Sequence, residues 1–193
     1  MHHAKGCFSF PAYVRLPTYS FMSSIRILGI DPGFDRTGIG VIDQSGGRLS
    51  WVYHSCIQTR AEDPFSLRLQ QTRDGIRIAL DRFKPEAAVV EQLFFQSNAK
   101  TAIKVGMARG VAIITLADAN IPVIELTPNQ VKHGITGWGA ADKKQIQEMV
   151  KRLLGLKEIP KPDDAADALA LAIVGGPLVG LQSAKAISRK KSL

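Results

Sequence analysis

The 193-residue chain holds only two cysteines, Cys7 and Cys56, and no CxxC pair. That excludes a disulfide-stapled scaffold and a zinc knuckle, and it fits a reducing cytosol. No uncharged apolar run approaches the ~18 residues of a membrane span; the longest, such as 111–117, sit inside periodic segments, so no membrane association is expected. The four histidines, His2, His3, His54 and His133, are scattered and meet no cysteine, and none is assigned to catalysis. No internal repeat or long low-complexity segment is visible. Residues 1–22 contain no acidic residue and no long apolar core, so a secretory signal is not expected. An organellar transit segment would fit the missing acids, but the arginine content is thin. Residues 1–23 read instead as an extension from an upstream start, with Met22 the natural first residue.

Positive charge is what the chain has in excess. A formal net charge of +8 and a pI near 9.7 point to a polyanionic partner, because clustered Lys and Arg gain affinity for phosphate chains through counterion release. Between Lys132 and Lys161 there are seven Lys or Arg against Asp142, Glu148 and Glu158. A solvated helix face with a basic terminus would produce the same pattern. The length and a hydrophobic content of 45% suit one domain with a sizeable core.

From Ser24 the pattern predicts structure. Ile25 to Asp31 reads as a buried strand, Thr37 to Ile42 and Leu49 to Ile57 complete a three-stranded antiparallel meander, and Gly46-Gly47 turns between the last two. Phe65, Leu69, Thr72, Ile76, Leu80 and Phe83 recur at steps of three and four, predicting a helix that stops at Lys84-Pro85. Ala87 to Glu91 is an apolar strand, Ala99 to Ala119 a helix, and Pro122 to Leu126 a strand. Pro128 to Gly134 and Asp142 to Leu154 read as helical, and a last helix opens at Pro162-Asp163 and runs to Gly175-Gly176. This order predicts an α/β domain, a mixed five-stranded sheet of the meander plus two further strands, flanked by helices. It suits the ribonuclease H-like fold.

Four carboxylates stand at the ends of these elements. Asp31 closes the first strand, Glu91 closes the fourth, and Asp164 and Asp167 head the last helix. A carboxylate at the end of a buried strand is costly unless something positive meets it. Each also has an ordinary reading: Asp31-Pro32-Gly33 is a common turn, Glu91 can be a paired structural acid, and acids in a first helical turn complement the dipole. Asp164 and Asp167 share a face at a spacing of three, but Asp163 and Asp167 are neighbours too, so spacing leaves Asp163 and Asp164 open. Ala165, Ala166, Ala168 and Ala170 make this helix slim enough to lie close on the sheet. An all-oxygen donor set implies a hard cation, Mg²⁺ or Mn²⁺, one or two per site, rather than Zn²⁺. In a basic protein that suits two-metal phosphoryl chemistry.

Ile27-Leu-Gly-Ile-Asp-Pro-Gly-Phe-Asp-Arg-Thr-Gly-Ile-Gly-Val-Ile, Val90-Glu-Gln-Leu-Phe-Phe-Gln-Ser-Asn, Ala108-Arg-Gly and Lys161-Pro-Asp-Asp-Ala-Ala-Asp-Ala-Leu-Ala, in this order and at these separations, resemble the RuvC family of bacterial Holliday-junction resolvases. The resemblance covers roughly Ile25 to Gly176 and implies a catalytic, metal-binding tetrad of Asp31, Glu91, Asp164 and Asp167, choosing Asp164 over Asp163. It implies symmetric, metal-dependent nicking of four-way DNA junctions by a cytoplasmic homodimer, leaving 5′-phosphate and 3′-hydroxyl ends, in recombination and repair beside the branch-migration proteins RuvA and RuvB. Phe94 resembles the family's base-stacking wedge, with Phe95 beside it, and Lys132 and Lys143 match phosphate-contacting positions near Lys144. Gly106 and Gly110, each costing about 1 kcal/mol in a helix, are read as part of a dimer contact where another backbone comes close. The nuclease domain is expected over 24–177, with a basic, flexible tail over 178–193. Phe34-Asp35 departs from the family pattern, and Asp35 is expected either to weaken DNA approach or to turn outward.

Three other classes compete. Gly29-Ile-Asp-Pro-Gly before Thr37-Gly38 resembles the phosphate hairpin of actin-like kinases and ATPases, but no second copy follows. Ribonuclease H-like nucleases of RNA or single-stranded DNA are closer rivals. A non-catalytic junction-binding module would show a broken tetrad, whereas all four acids are present.

Overall fold

The computed structural model describes residues 24–92 and 99–190, with side chains for 24–92 and 102–179. Phe94, Phe95 and the 1–23 extension therefore lie outside the described residues. The elements are β1 (Ile25–Asp31), β2 (Arg36–Ser45), β3 (Arg48–Gln58), α1 (Phe65–Phe83), β4 (Ala87–Glu91), α2 (Ala99–Asp118), β5 (Val123–Leu126), α3 (Pro128–Thr136), α4 (Lys143–Leu153) and α5 (Asp163–Lys190). One sheet runs in the order β3-β2-β1-β4-β5. Its first three strands are antiparallel, and β1, β4 and β5 are parallel.

Local chemistry sets the element ends. Gly46 and Gly47 both have positive φ, which a two-residue hairpin matching the sheet twist requires. Thr127 and Asp142 each accept from the backbone N–H three residues on, and Gln130 and Gln145 reach back, closing a capping box on α3 and on α4. Lys84 ends α1 in the left-handed conformation with its N–H on the Leu80 carbonyl.

Strand alternation divides the core into two layers. Leu28, Ile30, Ile39, Val41, Ala88 and Val90 pack against α1 and α2. Ile27, Ile42, Ala87, Val89, Ile124 and Leu126 pack against α3, α4 and α5. α5 lies unusually close to the sheet. A Cβ on Gly29 would overlap the Ala168 carbonyl, one on Gly38 the Asp164 carbonyl, and one on Gly40 would stand 2.6 Å from the Leu169 nitrogen. The expected slimness of this helix is thus met by glycines on the facing strands.

The expected end of the last helix at Gly175-Gly176 is corrected: α5 continues through Pro177 to Lys190. The two glycines serve contact rather than termination. A Cβ on Gly175 would collide with Val89, and one on Gly176 with Gln44. Pro177 removes only one N–H from a helix already held by the sheet.

Candidate active site

β1 and β4 run parallel with Ile30 beside Val90, so Asp31 and Glu91 leave the sheet side by side at one edge. Both share parity with Ile27, Gly29, Ala87 and Val89, so their side chains enter the layer occupied by α5. The Asp164 carbonyl sits over Gly38, the partner of Asp31 across β1 and β2, and this brings the first turn of α5 to the same edge. Asp167 follows one turn on. The sequence-predicted tetrad therefore meets at one place.

Its electrostatics are those of crowded acids. Burial lifts the Asp31 carboxyl well above its usual range, and repulsion from Glu91, Asp167 and Asp164 adds to this against the pull of Lys143. Glu91 is pushed up to about 7 by burial and then by Asp167, opposed by a hydrogen bond with Asp31. Burial also raises Asp167, although Lys143 counters it.

Two cations border the cluster. Arg36 Nε lies 2.9 Å from Asp164 Oδ2. Lys143 Nζ lies 3.2 Å from Asp167 and 3.4 Å from Asp163. Burial would lower the Lys143 pKa, but Asp167 and Asp163 outweigh it and hold the ammonium charged. Among the described residues no three His, Cys, Asp or Glu side chains close into a preformed metal cage; the arginine and lysine already compensate two of the four acids. The donor set still fits a hard divalent ion, since acid-only, mutually repelling carboxylates need more positive charge than two partly exposed side chains provide.

Asp163 and Asp164 differ in setting. The Asp163 side chain is 62% exposed, whereas that of Asp164 is 29% exposed and packed beside Cys56 Sγ at 3.9 Å. Lys132 and Lys143 join Glu91, Asp167 and Ile146 around a cavity of about 210 Å³. Lys144 is exposed and stands outside that lining. Gly110 faces open space.

Three arginines escaped the sequence reading. Arg36, inside the first quoted motif, shares strand parity with Gly38, which the α5 backbone approaches closely. Arg109, inside the quoted Ala108-Arg-Gly, donates Nε to the Glu91 carbonyl at 3.0 Å and pairs with Glu125, tying β4 and β5 behind Glu91. Arg68 resolves Asp35: it pairs with that carboxylate and lies 4.1 Å over the Phe34 ring, which stacks on Phe65. Asp35 is turned outward and neutralised by α1, while buried Phe34 anchors its loop.

A family model described as crossover junction endodeoxyribonuclease RuvC matches residues 27–175. The chain belongs to the RuvC family. A curated RuvC of Thermotoga maritima, named crossover junction endodeoxyribonuclease, is 53% identical over 151 residues, covering 78% of this chain and 90% of that one. The solved structure of Thermus thermophilus RuvC in complex with a Holliday junction substrate is 34% identical with a TM-score of 0.77, covering 82% of this chain and 97% of that one. The yeast mitochondrial Holliday junction resolvase, at 17% identity and a TM-score of 0.56 over 93% of this chain and 90% of that one, shares the fold alone. These matches agree with the expected ribonuclease H-like architecture, and the RuvC family is one of nucleases.

Proposed function

We propose that this RuvC-family endodeoxyribonuclease cuts four-way DNA junctions by metal-dependent phosphodiester hydrolysis, using Asp31, Glu91, Asp164 and Asp167 as ligands for one or two Mg²⁺ ions, with Mn²⁺ able to substitute. The observation that carries this reading is the convergence of four acids from β1, β4 and α5 on one basic-flanked edge, with Asp31 and Glu91 held above their usual pKa. Bound there, a divalent ion supplies an activated water and stabilises the leaving oxygen.

The chain's own groups do the remaining work. Asp31 and Glu91, fixed on adjacent strands, hold the site rigid from below. Asp164 and Asp167, on a helix pinned to glycines, close it from the side. Lys143 and Lys132 face the cavity as phosphate contacts for the scissile strand. Arg36, paired with Asp164, balances the charge of that carboxylate at the mouth of the site. Phe94, or Phe95 beside it, serves as the stacking wedge at the opened junction.

A homodimer completes the reading, because a two-fold axis presents two sites to two equivalent strands. α2 carries the contact: Ile103, Met107 and Ile114 are 59%, 45% and 57% exposed. With Gly110 they form a stripe at steps of four, three and four. RuvA and RuvB remain the expected partners, and the bacterial cytoplasm the expected compartment; no helix among the described residues is long and apolar enough to cross a membrane.

The test is cleavage of a synthetic four-way junction with Mg²⁺ by the native chain, Asp31→Asn and Glu91→Gln. Each variant is expected to retard the junction on a gel while nicking it at least 100-fold more slowly, the order expected for loss of a group essential to the chemistry. Equal cutting of linear duplex by the native chain would overturn the junction reading, and undiminished nicking by both variants would overturn the site.

A further inference from the structure

A second basic concavity lies away from the catalytic edge. It has a volume of about 370 Å³ and is lined by Trp51 and His54 of β3 with Lys157, Glu158, Ile159 and Lys161 of the loop between α4 and α5. Trp51 is 44% exposed. Its indole N–H donates to His54 Nδ1 at 2.9 Å, and the two rings are 5.7 Å apart. Burial lowers the His54 pKa and keeps the imidazole neutral, able to accept that bond. The polar tip of the tryptophan is therefore satisfied internally, and what it shows to solvent is apolar ring.

A lone exposed aromatic needs no explanation. This one is held in a fixed orientation, in a concavity, beside two ammonium groups that form no ion pair among the described residues. The pocket also lies on a line with the chemistry. Cys56, two residues beyond His54 on the same strand face, touches Asp164, and Lys161 immediately precedes Pro162-Asp163-Asp164. At roughly 3.3 Å per strand residue, Trp51 stands about 15 Å from that point, or roughly four to five nucleotides at 3.4 Å along one strand.

We propose that the Trp51 pocket is an accessory site for the unpaired DNA strand that runs from the scissile phosphate at the opened junction, with a base stacked on the indole and phosphates held by Lys157 and Lys161. The proposal rests on the junction-cutting reading above. Aromatic stacking with flanking lysines is the chemistry of sequence-tolerant strand binding, and Glu158 leaves the pocket net positive. Such a contact fixes the register of a junction arm relative to the metal site.

The test is fluorescence anisotropy of a fluorescein-labelled synthetic junction with divalent ions chelated, using the native chain, Trp51→Leu and the double variant Lys157→Gln/Lys161→Gln. Trp51→Leu is expected to weaken binding about tenfold. The double variant is expected to reduce the slope of log affinity against log salt by about 1.8, at about 0.9 per phosphate contact, with its melting temperature unchanged. Its lysines are exposed, so it carries the test even where the Trp51 substitution disturbs folding. Native affinity within twofold and an unchanged salt slope in the double variant overturn the proposal. Normal junction binding with lost capture of RuvA or RuvB also overturns it, making the pocket a protein-docking site. A native chain that binds no junction overturns the functional reading itself, whereas a binding native chain with indifferent variants removes only the pocket.

Discussion

Glu91 shows how a single side chain couples stability to function. Its folded pKa of about 7 exceeds the ordinary glutamate value of 4.5. The native state therefore holds a proton that the unfolded chain has released, and stability falls as pH rises between those values. Below about 4.5 both states are protonated and the cost is absent; above about 7 it is fully present, on the order of 3 kcal/mol at 1.36 kcal/mol per unit. Asp31 and Asp167, also raised, add in the same direction. Thermal melting without metal is expected to drop from pH 5 to pH 8, with a shallower fall in Glu91→Gln. Adding Mg²⁺ is expected to restore stability chiefly above pH 7, where the ligands are ionised. A melting curve that rises across this window would contradict the electrostatics. Asp31 and Glu91 were legible because a charged residue closing an apolar strand violates local pattern, whereas Asp164 and Asp167 only headed a helix and spacing left Asp163 open until the family resemblance chose Asp164. Arg36 and Arg109 were not legible, because an arginine at a strand start or in a helix is unremarkable until the opposing element is known.

At the scale of the element, α5 decides whether the tetrad assembles. Its backbone reaches the sheet only because Gly29, Gly38 and Gly40 lack side chains. Gly40→Ala would place a Cβ 2.6 Å from the Leu169 nitrogen and 2.8 Å from its Cα, backbone atoms that cannot rotate away. Overpacking of this kind costs about 1–3 kcal/mol. The helix is expected to lift and carry Asp164 and Asp167 out of reach of Asp31. Nicking of a synthetic junction should fall at least tenfold at a temperature where circular dichroism shows the variant folded. Retained activity would mean that α5 slides without separating the acids. The Pro162-Asp163 start made the helix legible, and apolar runs bounded by turns did the same for the strands beneath it. Its length was misread for a physical reason: Gly175-Gly176-Pro177 has the composition of a stop, and only the positions of Val89 and Gln44 reveal that small residues were needed for contact.

For the whole molecule the proposed two-fold contact rests on α2. Ile103, Met107 and Ile114 leave apolar area in water on a helix whose opposite face, through Ala108, Ala112 and Leu116, is fully buried. Gly110 offers the counterpart of the close contact seen under α5: a Cβ there would meet nothing within 4 Å in its own chain. Within the monomer, Gly110→Ala should therefore gain about 1 kcal/mol of helix propensity. Across a close two-fold contact the same methyl would obstruct the partner backbone. The two effects have opposite signs, which makes this substitution more informative than a charge. Gly110→Ala is expected to raise the melting temperature of dilute protein while weakening the dimer at least tenfold in analytical ultracentrifugation; Met107→Glu should abolish the dimer. In both, a cruciform plasmid should accumulate singly nicked circles in place of the linear product that two coordinated cuts give. An undiminished dimer in Met107→Glu would move the two-fold axis off α2, and paired nicking by a demonstrated monomer would remove the need for an axis.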